Sequence, residues 1–399
     1  MMRDAESTSL DSPLELPCGV VLKNRLVKAA MSDSLGDGAG DPTTEQIRLY
    51  ERWAAGGTAL AIIGEVQVDP RYPEKPGNVV LGPATDPSLL RGLATVGDSI
   101  DSHVWPQLGH AGALAHGPIS QPAGPSAIDL DELKCTALTI DEVSALPVTY
   151  AEAAQRARAA GFSGVEVHAG HGFLLSQFLS PLFNRRTDVW GGSVEARAQI
   201  LVEIVRQIRT EVGTGFAIGV KLNSSDQLEG GLSEDDALVV VELIGRESVD
   251  LIDISGGTYF PGAAASSDRA LSGPYFLDFA RRARTVTDRP MMVTGGFKTR
   301  QQASDAVRRG DTDMVGLARA LVVDPALPLK WMEGCDGSDP QFPRFASTPP
   351  GGVTAWYTMR LTDLATGTEL DRDRSLEEAL DEYEARDSRR VATWNERFS

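Results

Sequence analysis

Eight short runs rich in branched apolar residues recur along the chain, and segments with helical periodicity separate most of them. The runs are residues 24–31, 58–65, 104–109, 164–168, 216–222, 250–255, 290–295 and 313–318. Most are apolar on both faces, as parallel strands covered by helices should be. This repeated strand–helix unit predicts an α/β fold, a (β/α)8 TIM barrel. The alternative is an open doubly wound sheet, but no G-x-G-x-x-G sequence follows the first run.

The helical segments carry boundary signals of their own. Thr43 and Gln46 have the spacing of a capping box, at the start of a helix that a glycine ends. The other predicted helices cover residues 139–161, 193–213, 233–247, 274–288 and 299–310, and the helix of the eighth strand–helix unit lies near 324–334.

The barrel is expected to occupy residues 14–335, after a flexible segment of residues 1–13. A long loop with several glycines and prolines, residues 110–137, follows the third strand, and loops of that length are usually functional or disordered. Residues 336–399 are predicted to form a C-terminal extension that packs on the barrel, and not a second catalytic domain.

The bulk composition excludes several classes of protein. A net charge of −18 argues against a nucleic-acid groove and against adhesion to anionic membranes, because both need a basic surface. Cys18, Cys135 and Cys335 are far apart and form no C-x-x-C, so neither a disulfide framework nor an iron–sulfur cluster is expected. No secretion signal and no membrane-spanning apolar run is visible, which favours a reduced cytoplasmic compartment.

Catalytic groups of a (β/α)8 barrel lie at the carboxyl ends of its strands. In strand order, the residues at those ends include Met31, Ser32, Gly64, Glu65, Gln107, His110, His168, His171, Lys221, Ser255, Gly295, Gly296, Ala318 and Arg319. Gly295 and Gly296 expose backbone N–H groups, and Arg319 adds a cation. They follow strands seven and eight, where such barrels bind phosphate. The alternative for the glycine pair is an ordinary turn.

His168 and His171 stand three residues apart at the end of the fourth strand. A metal site is not expected, because zinc needs further protein ligands and H-E-x-x-H is absent. The two are either core histidines or paired imidazoles that donate to a substrate oxygen. Lys221 ends the fifth strand, where an unpaired ammonium is costly to bury. It either faces a developing negative charge or forms an ion pair with Asp226 or Glu229.

The segment HAGHGFLLSQFLSPLFNRRTDVWGGSVEAR, residues 168–197, resembles the signature of the old yellow enzyme family of FMN-dependent ene-reductases. The family pattern is HxxH or HxxN, then G-Y/F-L, QFLSP and NRRTD-x-(Y/W)GG. Further matches extend over residues 14–335: NRLVKAAMS, QLGHAG, PAGPSAI, GVKLNSSDQLEGG, LIDISGGTY, VTGGF and VGLARALVVDP.

The resemblance implies FMN as cofactor and NADPH or NADH as reductant. The cofactor residues it implies are Ala30, Met31 and Ser32 along the flavin, Gln107 at its pyrimidine part, Lys221 at its N1/O2 edge, and Gly295, Gly296, Ala318 and Arg319 at the phosphate. His168 and His171 would bind the carbonyl oxygen of a small α,β-unsaturated substrate above the ring. The implied reaction is ping-pong: NAD(P)H reduces FMN and leaves, and the C=C bond then accepts the hydride.

Phe173 stands where the resemblance implies a tyrosine, the usual proton donor of the family. Because phenylalanine cannot act as a general acid, the proton comes from water, from another tyrosine such as Tyr259 or Tyr275, or is withheld. In the last case the protein would be a flavin-dependent isomerase or desaturase of a specialised (natural-product) pathway. A non-catalytic FMN-binding barrel is a third alternative. Ala113, where the motif commonly reads HAGR, leaves the substrate class open, and a homo-oligomer is neither specified nor excluded.

Overall fold

A computed structural model of the protein describes residues 8–260, 273–335, 337–345, 348–370 and 373–398. Its β-strands are β1 (Leu14–Glu15), β2 (Val21–Leu22), β3 (Leu26–Lys28), β4 (Leu60–Gln67), β5 (Val79–Val80), β6 (His103–Gly109), β7 (Ala123–Gly124), β8 (Ile128–Leu130), β9 (Leu133–Ala137), β10 (Gly164–Ala169), β11 (Ala217–Asn223), β12 (Leu251–Ser255), β13 (Met291–Thr294) and β14 (Met314–Leu317). Its α-helices are α1 (Thr44–Ala55), α2 (Pro87–Ala94), α3 (Ile140–Ala160), α4 (Leu174–Leu179), α5 (Val194–Val212), α6 (Glu234–Gly245), α7 (Leu277–Ala283), α8 (Arg300–Arg308), α9 (Arg319–Val323), α10 (Leu327–Glu333), α11 (Gly352–Thr366) and α12 (Leu376–Phe398).

Eight of these strands form one closed parallel sheet. The order is β3–β4–β6–β10–β11–β12–β13–β14, and β14 pairs with β3 to complete the ring. Closure confirms the (β/α)8 barrel and rules out the open sheet. Each predicted strand lies within a few residues of an observed one.

Apolar side chains close the amino-terminal end of the barrel. One buried cluster joins side chains of seven barrel strands to the hairpin β1–β2: Leu14, Leu16, Leu22, Val27, Ala59, Leu60, Ile62, Trp105, Ala217, Leu251, Met292 and Met314. A larger cluster fills the space between the strands and the surrounding helices. With an apolar plug at this end, the polar chemistry is confined to the opposite, carboxyl-terminal end.

Two helix starts show how the predicted caps work. The Thr43 side chain accepts a hydrogen bond from the Gln46 backbone, as predicted. The reciprocal half of the predicted box is wrong, because the Gln46 side chain donates to Asp33 instead. A complete capping box occurs at α3, where Thr139 and Glu142 satisfy each other's backbone N–H groups.

The segment after the third barrel strand has structure of its own. Within residues 110–137, β7, β8 and β9 form a small three-stranded sheet beside the barrel mouth. Sequence patterns did not predict this sheet, nor the helices α2 and α4. Strands of two to five residues carry too little periodicity to be recognised.

Both ends of the chain contact the barrel. At the amino end, Leu10 is buried and its carbonyl accepts a hydrogen bond from the Arg25 backbone, next to β3. The expected flexibility of residues 1–13 stays a prediction. Residues 1–7 lie outside the described residues. At the carboxyl end, Arg48 of α1 donates to the carbonyl of Ala365 in α11. Arg390 of α12 donates to the carbonyl of Ser34, in the segment after β3.

None of the helices in the described part of the chain combines the length and apolar character needed to cross a membrane. In the same part, no three His, Cys, Asp or Glu side chains group closely enough to hold a metal ion. Cys18, Cys135 and Cys335 are free thiols.

Candidate active site

The residues singled out from the sequence come together at the carboxyl end of the barrel. Several of them remain partly accessible there, in contrast to the buried strands: Ala30, Met31, Ser32, His171, Gly295, Gly296, Ala318 and Arg319. Gln107, His168 and Lys221 are buried below them. The mouth of the barrel is therefore a cleft with a floor of buried polar groups.

A chain of four polar side chains crosses this cleft. Glu65 hydrogen-bonds to His168 Nδ1, His168 Nε2 lies 2.8 Å from His171 Nδ1, and His171 Nε2 lies 2.9 Å from Ser255 Oγ. Glu65 lies on β4, His168 on β10 and Ser255 on β12. One strand, β6, separates β4 from β10, and one strand, β11, separates β10 from β12. Gly109 leaves room for the carboxyl group, because a Cβ there would lie 2.0 Å from Glu65 Oε2.

Burial sets the protonation of this chain. Desolvation lowers the pKa of His168 to about 3 and holds the pKa of His171 well below its ordinary value. Both imidazoles are therefore neutral at neutral pH. Desolvation, together with the nearby Glu166 carboxylate, raises the pKa of Glu65 to about 8. The Glu65 carboxyl is therefore mostly protonated at neutral pH.

A protonated Glu65 fixes the direction of the hydrogen bonds. Its O–H donates to His168 Nδ1, which leaves the His168 proton on Nε2. In this structure His168 Nε2–H therefore donates to His171 Nδ1, because N–H groups on both nitrogens cannot face each other across 2.8 Å, and His171 Nε2–H donates to Ser255 Oγ. When an oxygen binds beside the pair, His168 Nε2–H can turn to it, and His171 becomes the second donor once its proton lies on Nδ1 and the Ser255 hydroxyl donates to Nε2. In that tautomer the pair is a two-donor site for a carbonyl oxygen or an enolate.

Aromatic rings surround the histidine pair. The Phe173 ring is buried with its centroid 5.0 Å from that of His168. The Tyr259 ring lies 6.0 Å from His171 and 5.9 Å from Phe173. Tyr275 lies elsewhere: its backbone N–H donates to the carbonyl of Gly295, at the end of β13. Of the two tyrosines named from the sequence, Tyr259 is therefore the one beside the histidines.

The floor of the cleft holds two further polar pairs. Gln107 Nε2 donates to Glu166 Oε2 over 2.5 Å. Lys221 forms a buried ion pair with Asp253, which lies opposite it in the register of β11 and β12. Burial lowers the pKa of Lys221, and Glu166 opposes that shift.

The ion pair of Lys221 differs from both pairs considered from the sequence. Asp226 instead accepts hydrogen bonds from the Leu232 backbone and the Asn223 side chain, and Glu229 is exposed. The true partner, Asp253, comes from the neighbouring strand and not from the loop after β11. The Lys221 ammonium can still face a ligand, but Asp253 neutralises part of its charge.

Backbone groups dominate the opposite end of the cleft. Gly295 and Gly296 follow β13 with φ values of 122° and 82°, and a Cβ on Gly296 would lie 2.3 Å from the Gly273 carbonyl. Only glycine fits that close approach. Ala318 caps α9, and the Arg319 guanidinium packs 5.6 Å from the ring centre of Tyr357 in α11.

This set of groups fits a flavin mononucleotide. The carboxylate atom Glu166 Oε1 and the amide oxygen Gln67 Oε1 are buried without a hydrogen-bond partner, as acceptors awaiting an N–H donor would be. The pyrimidine part of a flavin offers such a donor. At the other end, the accessible glycine backbone and Arg319 suit its phosphate.

The sequence pattern alone gives no role to Glu65, Glu166, Ser255 or Asp253. Glu65 and Ser255 each end a predicted strand, and that position was the only available signal. Their roles depend on which strands are neighbours in the closed barrel, which the linear pattern does not specify.

The comparisons with known proteins agree with the site. Residues 9–336 match the model of the NADH:flavin oxidoreductase / NADH oxidase family. The NADH-dependent flavin oxidoreductase iliE of Hypocrea jecorina is 36% identical over 349 residues, covering 79% of this chain and 87% of that protein. The NADPH dehydrogenase of Halalkalibacterium halodurans is 33% identical over 319 residues, covering 78% of this chain and 90% of that protein.

Solved structures agree as well. A 2-naphthoyl-CoA reductase complex superimposes with a TM-score of 0.76 and 27% identity, over 82% of this chain and 52% of the reductase, so the match spans about half of that longer protein. The old yellow enzyme homologue of Zymomonas mobilis shares the fold, with a TM-score of 0.72 at 21% identity, over 88% of this chain and 98% of its own. The family match, the relatives and the polar groups at the barrel mouth lead to one conclusion: this chain belongs to the NADH:flavin oxidoreductase / NADH oxidase family, that of the old yellow enzymes, and is an FMN-binding, NAD(P)H-dependent oxidoreductase.

Proposed function

We propose that the protein reduces the C=C bond of α,β-unsaturated carbonyl compounds with NADH or NADPH, by ping-pong hydride transfer. The observation that carries this proposal is the histidine pair. Two neutral imidazoles face each other across 2.8 Å, and Glu65 and Ser255 hold their outer nitrogens. A pair held in this way is suited to a single oxygen atom on which negative charge develops.

The residues that would hold FMN divide along the cleft. Gln107, Glu166 and Lys221 would meet the pyrimidine part of the ring, and the segment after β3, including Met31, would line its edge. Gly296 and Arg319 would hold the phosphate. When bound, FMN takes a hydride from NAD(P)H and passes it to the substrate.

The histidines would prepare the substrate for that transfer. His168 Nε2–H and His171 Nδ1–H donate to the carbonyl oxygen, which draws electron density away from the C=C bond. The β-carbon becomes more electrophilic, and the enolate oxygen that forms is stabilised by both donors. Glu65 and Ser255 keep the two donors in place throughout, so little reorganisation accompanies the change in charge.

An anaerobic titration tests this function. NADH should bleach the bound flavin, and one equivalent of cyclohex-2-enone should restore its absorbance and yield cyclohexanone. Restored absorbance with no saturated product, or bleached flavin that the enone leaves unchanged, contradicts the proposal.

Isomerisation is the second candidate, and buried Phe173 favours it, because the side chain beside His168 has no proton to give. An isomerase would interconvert cyclohex-3-enone and cyclohex-2-enone without net consumption of NADH. Product analysis at substoichiometric NADH separates the two reactions.

Loss of the Arg319 guanidinium should weaken FMN binding. Charge-assisted hydrogen bonds contribute about 1.5–3 kcal/mol, so Arg319→Ala should raise the Kd for FMN about 10- to 100-fold. Fluorescence titration of the flavin-free protein measures this. Arg309→Ala is the matched control, since Arg309 pairs with Asp311 beyond α8 and should leave the Kd unchanged. An unchanged Kd in Arg319→Ala would place the phosphate elsewhere.

A further inference from the structure

Position 173, where the ring lies beside His168, has no acidic group. Phe173 fills it with a buried ring, and reduction of a C=C bond still requires a proton at the α-carbon after the hydride has reached the β-carbon. A tyrosine hydroxyl elsewhere in the cleft can supply that proton only if it lies beside the histidine pair, because the α-carbon is one bond from the carbonyl carbon.

Of the tyrosines near the mouth, Tyr357 packs on Arg319 at the phosphate end. The surroundings of the other three decide which of them can reach the substrate. Tyr275 belongs to the glycine end of the cleft, where its ring lies 3.5 Å from the position of a Cβ on Gly295. Tyr72 stacks on His110, with ring centres 4.5 Å apart. Tyr259 contacts both His171 and Phe173, at 6.0 Å and 5.9 Å.

The backbone fixes Tyr259 relative to the histidines. His171 and Thr258 form a parallel bridge, and the Tyr259 N–H donates to the His171 carbonyl over 3.0 Å. Tyr259 is nevertheless 62% exposed, although its neighbour Phe173 is only 4% exposed. Tyr259 therefore combines an anchored backbone with an accessible side chain, and its ring centre lies within 6.0 Å of His171.

We propose that Tyr259 donates the proton to the α-carbon of the substrate, in place of the residue at position 173. This inference rests on the proposed function, since it assigns the second half of the same reduction. The donor hydroxyl then belongs to Tyr259 and not to the neighbouring side chain at position 173. The histidine pair binds the carbonyl oxygen.

The step balances without another reactant. The hydride forms the C–H bond at the β-carbon, and the π electrons move to the oxygen held by His168 and His171. Hydride transfer stays reversible until the α-carbon of the enolate takes the proton from Tyr259: the O–H bond breaks, the C=O bond forms again, and the phenolate remains. Net hydride transfer therefore depends on this proton. Solvent returns a proton to the phenolate through the exposed side of the ring.

The environment of Tyr259 keeps the hydroxyl protonated until it is used. Desolvation by the surrounding protein, and then the carboxyl groups of Glu74 and Glu65, raise the pKa of Tyr259 to about 12, although the 62% exposure of the residue limits the desolvation. An enolate is a stronger base than a phenolate, so proton transfer from Tyr259 is still favourable.

The test uses 2-methylcyclohex-2-enone, whose α-carbon becomes a stereocentre when it is protonated. The FMN-loaded protein is reduced, mixed anaerobically with the enone, and followed by flavin absorbance and product enantiomer ratio. Tyr259→Phe should slow reoxidation about 10²-fold, the lower end for a lost general acid, and should erode the enantiomeric excess as solvent takes over. Tyr72→Phe, the matched control, should retain both values.

A double variant tests whether the lower rate of Tyr259→Phe comes from the lost hydroxyl or from damage to the structure. Tyr259→Phe combined with Phe173→Tyr returns one hydroxyl to the adjacent ring and should recover most of the lost rate. A readout independent of turnover is the C=O stretching frequency of the enone bound to the oxidised protein. Tyr259→Phe should leave it unchanged, because Tyr259 faces the carbon and not the oxygen, whereas His171→Ala should shift it.

Failure of the Tyr259 assignment can be distinguished from failure of the proposed function. If the wild-type protein reacts with the enone and Tyr259→Phe keeps its rate and enantiomeric excess, Tyr259 is not the donor. Loss of rate in Tyr72→Phe instead also overturns the assignment. If the reduced wild-type protein is not reoxidised by the enone at all, the proposed function fails, and the role of Tyr259 fails with it.

Discussion

His171→Ala is expected to slow reoxidation of the reduced protein by cyclohex-2-enone about 10²–10³-fold, the usual effect of removing one donor to a developing oxyanion. His171 Nδ1 is one of the two imidazole nitrogens that face the space between the rings, and Ser255 holds its other nitrogen at 2.9 Å. Truncation removes the donor and frees His168 Nε2 from its partner. Stopped-flow absorbance of the photoreduced protein measures the effect on this half-reaction alone.

His171→Asn is the informative companion variant. An asparagine amide can donate to the same oxygen, so the variant should stay within about tenfold of the wild-type rate for a donor that is retained but displaced. Equal losses in the alanine and asparagine variants would indicate damage to the cleft rather than loss of a donor. A rate in His171→Ala within about twofold of wild type would contradict the role of the pair, because a lost oxyanion donor costs far more.

Glu65→Gln is expected to abolish an alkaline decline in activity that the wild-type protein should show near pH 8, where the Glu65 carboxyl ionises. Below that pH the protonated carboxyl donates to His168 Nδ1 and leaves Nε2–H free to donate. Above it the carboxylate accepts from Nδ1–H instead, and His168 Nε2 becomes an acceptor. The substrate oxygen then loses one of its two donors. Because a glutamine amide does not ionise, the Glu65→Gln variant should keep a flat profile across this range.

The neighbours of Glu65 provide the control. The titratable groups near the Glu65 carboxyl are His168 and Glu166 on β10 and Glu74 in the segment after β4. Burial, together with repulsion from Glu65, raises the pKa of Glu74 to about 7. Glu74→Gln should therefore retain the decline near pH 8. If the decline disappears in Glu74→Gln and persists in Glu65→Gln, the ionising group is Glu74, and the mechanism given for Glu65 is wrong.

The same shift has a consequence for stability. Because folding raises the pKa of Glu65 above its ordinary value of 4.5, its favourable contribution is complete below that value and is lost as the pH rises through about 8. Denaturant unfolding at about pH 6 and about pH 9, on either side of that pKa, should show a larger alkaline loss in the wild-type protein than in Glu65→Gln. The comparison separates the effect of the Glu65 carboxyl on stability from the effects of the other titrating groups.

The fold was predictable because its main signal is local. Runs such as residues 216–222 are apolar on both faces, and eight of them separated by helical segments allow few arrangements. The histidine pair was predictable for the same reason, since His168 and His171 follow a single strand. Residues that share a strand end need no knowledge of tertiary structure to be placed together.

The rest of the site depends on contacts between strands. Lys221 meets Asp253 through the register of β11 and β12, and Glu65 reaches His168 from β4, two strands away around the barrel. Gln46 likewise binds Asp33 rather than completing its capping box, because tertiary contacts outweigh a local motif. None of these pairings follows from spacing along the chain.

The most direct test of the account is a single turnover in D₂O. The photoreduced, FMN-loaded protein is mixed anaerobically with one equivalent of cyclohex-2-enone, and flavin absorbance and product mass are recorded together. We expect reoxidation within the mixing experiment and cyclohexanone that carries deuterium at the α-carbon, delivered through an exchangeable group of the cleft. A flavin that stays reduced, or one reoxidised while the enone is recovered intact, would contradict it.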